Sequence, residues 1–292
     1  MLALAVTIAA NQRSAGLATL PSRLCAEGLL LAGLLAIGNT LPVAQAADRP
    51  ATVAGEALER LVADIGERLD SRVAHSLSRI DGTGRRLLAL RSYLRSEAKL
   101  AERWSWSQEQ IAAYEGSPEH SELLAEIGKV REAFARNNPG YELWINPQVR
   151  SLDRQLESWN TNESVTEAAA GLTTAAVALV DSPSFPAQDA AKARGALETF
   201  LRSFQPTPAP TVAAPGLSPH GQMRAVDFQV QRGEAIVAGP KAATIATEWD
   251  AAGWSTKLDA AVRAASSRFV GPLASPREPW HYTYSPEAVA AQ

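Results

Sequence analysis

Gly216-Leu-Ser-Pro-His220-Gly-Gln-Met-Arg-Ala-Val-Asp227-Phe-Gln-Val230 is where the chain stops reading as helix. From Ala225 the residues alternate. Val226, Phe228 and Val230 fall on one face, and Ala225, Asp227 and Gln229 on the other, the pattern of a half-buried strand. Its less apolar face carries a carboxylate, and His220 stands just ahead of it in a Pro-His-Gly turn. Fully extended, the chain between His220 and Asp227 would separate them by roughly 23 Å. To meet at one site the chain must fold back, and Gly221 is expected to make the sharp turn.

A second block, Pro276-Arg-Glu278-Pro-Trp280-His281-Tyr-Thr-Tyr284, alternates in the same way. Trp280, Tyr282 and Tyr284 share one face, and His281 points to the other. Pro279 cannot donate to a ladder. Glu278 is therefore expected on a bend before the strand, turned to the His281 side.

The rest of the chain frames these blocks. It has 292 residues, enough for one large domain or two ordinary ones. Lys and Arg number 28 against 31 Asp and Glu, for a formal charge of -3, so no basic excess favours nucleic acid as a partner. One cysteine excludes an intrachain disulfide and a multi-cysteine metal site. With only four histidines, His75, His120, His220 and His281, any histidine site is drawn from these. His75 and His120 lie among charged residues and read as solvated surface.

Gly28 to Gly38 is the most apolar stretch. It is too short for a membrane-spanning helix, which needs roughly 20 residues. Arg23 upstream and Ala44-Gln45-Ala46 downstream give the flank and small-x-small site of a secretory signal peptide. Residues 1–46 are expected to be removed on export, with the membrane a partner only during that step and the mature chain periplasmic or secreted. An N-terminal membrane anchor is the alternative.

Residues 47–137 read as an all-helical region. Leu58, Leu61, Val62, Ile65, Leu69, Val73, Leu77 and Ile80 form one amphipathic stripe, ended at Asp81-Gly-Thr-Gly84. Ser117-Pro118 opens a later helix that Asn137-Asn138-Pro139-Gly140 stops. The stripe reads as core, with self-association through this region as the other use of it. Residues 138–292 carry the chemistry. Trp144, Ile145 and Val149 suggest an extended segment, and Ser151–Trp159, Ala168–Val180 and Asp189–Phe204 suggest helices. A proline-rich loop follows at 205–216. The fold expected is α+β, a small antiparallel sheet with flanking helices, preceded by the all-helical block.

Together His220, Asp227 and His281 offer two imidazoles and a carboxylate. Three protein ligands and an open position for water is the layout of a catalytic zinc site. Glu278 is then the natural general base, taking the proton of an acidified water.

These residues resemble the paired signatures of the zinc D-alanyl-D-alanine peptidases, the group that includes vancomycin-resistance D,D-dipeptidases and D,D-carboxypeptidases. That family shows Ser-x-His-x-x-Gly-x-Ala-x-Asp and, later, Glu-x-x-His, commonly Glu-Pro-Trp-His. Ser218, His220, Ala225, Asp227, Glu278, Trp280 and His281 match at those spacings. Met223 stands where the family usually has glycine. Gln148-Val149-Arg150-Ser151 and Gln155 are similar to a further family segment, Gly-Tyr-Arg-Ser with a glutamine beyond it, without the Gly-Tyr pair.

The resemblance covers roughly residues 138–292. It implies that Arg150 polarises the scissile carbonyl and that Ser151, Gln155, Ser218 and Trp280 face substrate. It also implies a bound Zn2+ and a peptidoglycan stem peptide as substrate. Two alternatives stay open: a cell-wall endopeptidase of the same zinc fold, and a non-catalytic peptidoglycan-binding or scaffold protein. An intact Glu278 argues against the second, because a structural zinc needs no base. The stretch from Asn162 to Leu217 is longer than expected between the motifs and reads as an insertion shaping a substrate groove.

Overall fold

The computed structural model describes residues 53–287. The expected signal segment, residues 1–46, lies outside them, as does Cys25. Within the described residues the protein is α+β, mostly helical, with two small antiparallel sheets. No described helix is long and apolar enough to cross a membrane.

The N-terminal helices are α1 (Val53–Leu69), α2 (Ser71–Ser78), α3 (Thr83–Ser96), α4 (Leu100–Arg103), α5 (Gln108–Tyr114) and α6 (Pro118–Asn137). The single stripe expected from Leu58 to Ile80 is in fact two helices. Asp70, in extended backbone, breaks it and caps α2 by accepting from the Arg72 backbone N–H at 2.8 Å. Such a cap is worth about 1 kcal/mol. Periodicity could not show the break, because Val73, Leu77 and Ile80 stay buried beside Leu58, Val62 and Ile65. α2 folds back so closely that a Cβ on Gly66 would stand 2.6 Å from the Leu77 side chain. The sequence signal at Ser117-Pro118 is met: the Ser117 side chain caps α6, and Pro118 occupies its first turn.

Downstream lie β1 (Glu142–Trp144), α7 (Leu152–Thr161), α8 (Glu163–Val180) and α9 (Ala190–Ser203). These are followed by β2 (Ala225–Asp227), β3 (Gln229–Arg232), β4 (Ala235–Ala238), α10 (Trp254–Ala265), β5 (Phe269–Val270) and β6 (His281–Tyr284). The two apolar cores draw on both sides of Asn137. One joins the stripes of α1, α2 and α3 to Leu156 and Trp159 of α7, Leu172 of α8 and Leu197 of α9. The other joins Ile127 and Phe134 of α6 to the sheets and to Leu258 of α10. Most of the stripe, Leu58, Val62, Ile65, Val73, Leu77 and Ile80, is buried within its own chain.

One sheet has the strand order β1-β3-β4 and the other β2-β6-β5. The single strand expected from Ala225 to Val230 therefore passes between two sheets. Phe228 is the hinge, its N–H donating to the Trp280 carbonyl at 2.9 Å. Val226, Phe228 and Val230 are nonetheless all buried, as their alternation requires. Trp280, Tyr282 and Tyr284 are buried likewise.

Candidate metal centre

β2 and β6 run antiparallel, with Asp227 directly opposite His281. Facing residues of such a pair project to the same side of the sheet. Their side chains meet there, His281 Nδ1 lying 3.0 Å from Asp227 Oδ1. His220 arrives from the turn before β2. Its Nε2 is 3.3 Å from His281 Nδ1 and 3.4 Å from Asp227 Oδ2. One ligand atom from each of the three lies within 4.8 Å of the others, so the group could hold a metal ion.

The fold-back between His220 and Asp227 is a short 3₁₀ turn, Pro219–Gln222, followed by Met223 at φ 49°, ψ 28°. That is left-handed backbone, where an L side chain costs about 1–2 kcal/mol. Met223 thus adopts a conformation that suits glycine while its side chain is buried in the second core. Gly221 serves a different purpose from the one its sequence suggests. A Cβ there would stand 2.0 Å from Ser105 Oγ and 2.8 Å from Gln155 Nε2. Glycine is required by close approach, and the left-handed residue of the turn is Met223.

Glu278 lies on the bend ahead of β6, and its Oε2 reaches to 3.7 Å from His281 Nδ1. The expected turn toward His281 is made by a short bend in which the His281 N–H donates to the Glu278 carbonyl at 3.1 Å. Arg150 donates through a terminal nitrogen to Asp227 Oδ2 at 3.1 Å, and its backbone N–H donates to the His220 carbonyl at 3.1 Å. Its side chain is 44% exposed, leaving it open to a ligand from solvent. All five residues line one cavity of about 620 Å³.

Electrostatics divide the roles. Burial would by itself push the Asp227 carboxyl up, but hydrogen bonds from His220 and His281 outweigh it and hold the carboxyl well below the usual range. Asp227 is ionised. Burial lowers His220 against the opposing pull of Asp227, favouring the neutral imidazole that a metal needs. Burial raises Glu278, reinforced by the Asp227 charge and opposed by His281 and Arg150.

The other residues expected to face substrate are placed as follows. Ser218 and Trp280 are buried in the cavity wall, Trp280 packed against Trp249 at 5.8 Å between ring centroids. Ser151 caps α7 by accepting from the Arg154 N–H at 3.4 Å. Gln155 also lines the cavity, but its amide is spent on the protein. Nε2 donates to the Arg150 carbonyl at 2.7 Å and to Ser105 Oγ at 2.8 Å, and Oε1 accepts from the Gly216 N–H at 2.9 Å. It braces the backbone of Arg150.

Ser105 also supports the site, although nothing around it in the sequence is a motif. It receives Gln155 and packs against Gly221, and its N–H donates to the Gly216 carbonyl at 2.8 Å. Of the long 162–217 stretch, Pro210 to Ala213 line the cavity, while α8 and α9 belong to the helical core. His75 and His120 lie outside the site; His120 Nδ1 accepts from the Gly116 N–H at 3.3 Å.

Compared with protein-family models, with curated proteins and with solved structures, the chain has no match.

Proposed function

We propose that the protein is an exported zinc metallopeptidase of the D-alanyl-D-alanine carboxypeptidase type, hydrolysing peptidoglycan stem peptides. The observation that carries this reading is the convergence of His220, Asp227 and His281 beside Glu278 in one cavity. The donor set fits zinc. Tetrahedral ligands about 2 Å from the metal stand roughly 3.3 Å apart. Here His220 Nε2 and His281 Nδ1 are 3.3 Å apart, and Asp227 offers Oδ1 at 3.0 Å from His281 and Oδ2 at 3.4 Å from His220. An ionised carboxylate with two imidazoles, one of them held toward its neutral form, is the state such a site requires.

Zinc, when bound, supplies a Lewis acid that acidifies water and polarises a carbonyl. The chain's own residues do the rest. Glu278 takes a proton at a carboxylate oxygen during attack and returns it to the leaving amine; burial raises its pKa above the ordinary carboxylate value. Arg150 presents a permanently charged fork to the carbonyl oxygen as negative charge develops there. Gln155 holds the Arg150 backbone at its carbonyl, and Asp227 holds its guanidinium. Trp280 and the Pro210–Ala213 segment wall the groove in which the peptide lies.

The test is D-alanine release from a synthetic stem pentapeptide by the metal-loaded protein. Release that a chelator abolishes and zinc restores is the expected result. Internal cleavage of cross-linked peptides without D-alanine release would reassign the protein as an endopeptidase. No hydrolysis of either would leave a non-catalytic wall-binding protein.

A further inference from the structure

A second cavity, of about 300 Å³, opens beside α3. Arg91, Arg95 and Arg103 line it, together with Ser96, Ala214 and Leu217. Arg91 and Arg95 are four residues apart on one helix, so their like charges share a face, an arrangement that destabilises an isolated helix. Burial, and then the charge of Arg95, lower Arg91 from its ordinary value.

Neutral groups hold these guanidiniums. Arg91 donates to the Phe204 carbonyl at 2.7 Å and to Gln205 Oε1 at 3.2 Å. Arg95 donates to the Arg202 carbonyl at 3.2 Å, and Arg103 to Ser96 Oγ at 3.3 Å. No described carboxylate pairs with any of the three. The neighbouring acids are engaged elsewhere, Glu97 with Arg202 at 3.1 Å and Glu102 with Arg224 at 3.6 Å. Three positive charges thus line one concavity with their remaining N–H groups unmatched by an anion. Guanidinium forks match the oxygens of phosphate, and three of them suit a multiply charged oxyanion better than a single carboxylate.

We propose that the cavity lined by Arg91, Arg95 and Arg103 is a binding site for a phosphate-class oxyanion, separate from the metal centre. The two cavities share a single lining residue, Ala213, so the proline-rich loop forms a wall of both. The anion is a free phosphate or a phosphate ester on a lipid or wall polymer.

The experiment is calorimetric titration of inorganic phosphate into the full chain, each protein having been incubated with zinc and dialysed, at low ionic strength. Three proteins are compared: the wild type, Arg95→Gln/Arg103→Gln, and His220→Ala/His281→Ala. The last removes the other place where phosphate could bind. The wild type and the histidine variant should bind, and the arginine variant should bind about a hundredfold more weakly, near tenfold for each guanidinium removed. Arg103→Gln alone touches only Ser96, so it should melt like the wild type and still lose about tenfold. Undiminished binding in the arginine variant, or binding lost only in the histidine variant, overturns the proposal. So does acetate binding as tightly as phosphate. Sedimentation with phosphatidylglycerol vesicles, but not with phosphatidylcholine vesicles, would identify the anion as a lipid phosphate ester. Phosphate binding without sedimentation would identify a free or soluble phosphate.

Discussion

Asp227 and His281 are 54 residues apart and stand directly opposite each other on two antiparallel strands, Oδ1 to Nδ1 at 3.0 Å. The pairing makes the site a property of the sheet. Each strand carries a buried apolar row on one side, and that row fixes the register. A one-residue slip would send Asp227 and His281 to opposite faces. His220, the third member of the group, depends on the turn before β2, and that turn depends on Gly221 and Met223.

Replacing Glu278 with glutamine should lower turnover by about 100- to 10,000-fold with zinc content unchanged. The amide keeps the shape but cannot accept the proton. Peptide hydrolysis and zinc stoichiometry measured on one preparation decide the matter. Loss of metal would make Glu278 a ligand, and near-normal turnover would remove it from the mechanism.

Gly221→Ala should destabilise the protein by about 1–3 kcal/mol through overpacking. The new methyl runs into Ser105 and Gln155. It should also weaken metal binding, because His220 is the adjacent residue. Ser105→Gly in the same chain removes the nearest obstacle and should recover part of the melting temperature. A double variant no more stable than Gly221→Ala would show that the strain is not the contact with Ser105.

Much of the centre could be read before the fold was known. His220, Asp227, Glu278 and His281 are chemically distinctive and sit in two alternating blocks, so residue type and period pointed to them together. The support around them was not readable. Ser105, Gly216 and Gln155 meet through backbone groups and an amide, which carry no pattern along the chain. The helix break at Asp70 was hidden for a related reason: an apolar stripe records which residues are buried, not whether one helix or two bury them. The core shared by α3 and α8 is a tertiary choice between segments far apart in sequence.

Glu126 provides a test by pH. It is a largely buried carboxylate on α6, bonded by Lys129 and by Ser266 at the end of α10. Burial alone would raise its pKa, but those partners lower it below the ordinary value. Its contribution is therefore present above the unfolded pKa of about 4.3 and is lost as pH falls through the folded one. Glu126→Gln should cost about 1 kcal/mol at pH 7. The difference from wild type should close below about pH 4 in denaturant titrations. A gap independent of pH would mean that the carboxylate charge is not what stabilises the α6–α10 contact.

The most direct measurement is the zinc content of the purified protein after dialysis, by elemental analysis, beside His281→Ala with its fold checked by circular dichroism. The proposed zinc site requires about one zinc per wild-type chain and none in the folded variant, because three protein ligands hold the metal and two do not suffice. A wild-type protein free of zinc after exposure to the metal, or a folded His281→Ala that keeps a full equivalent, would contradict it.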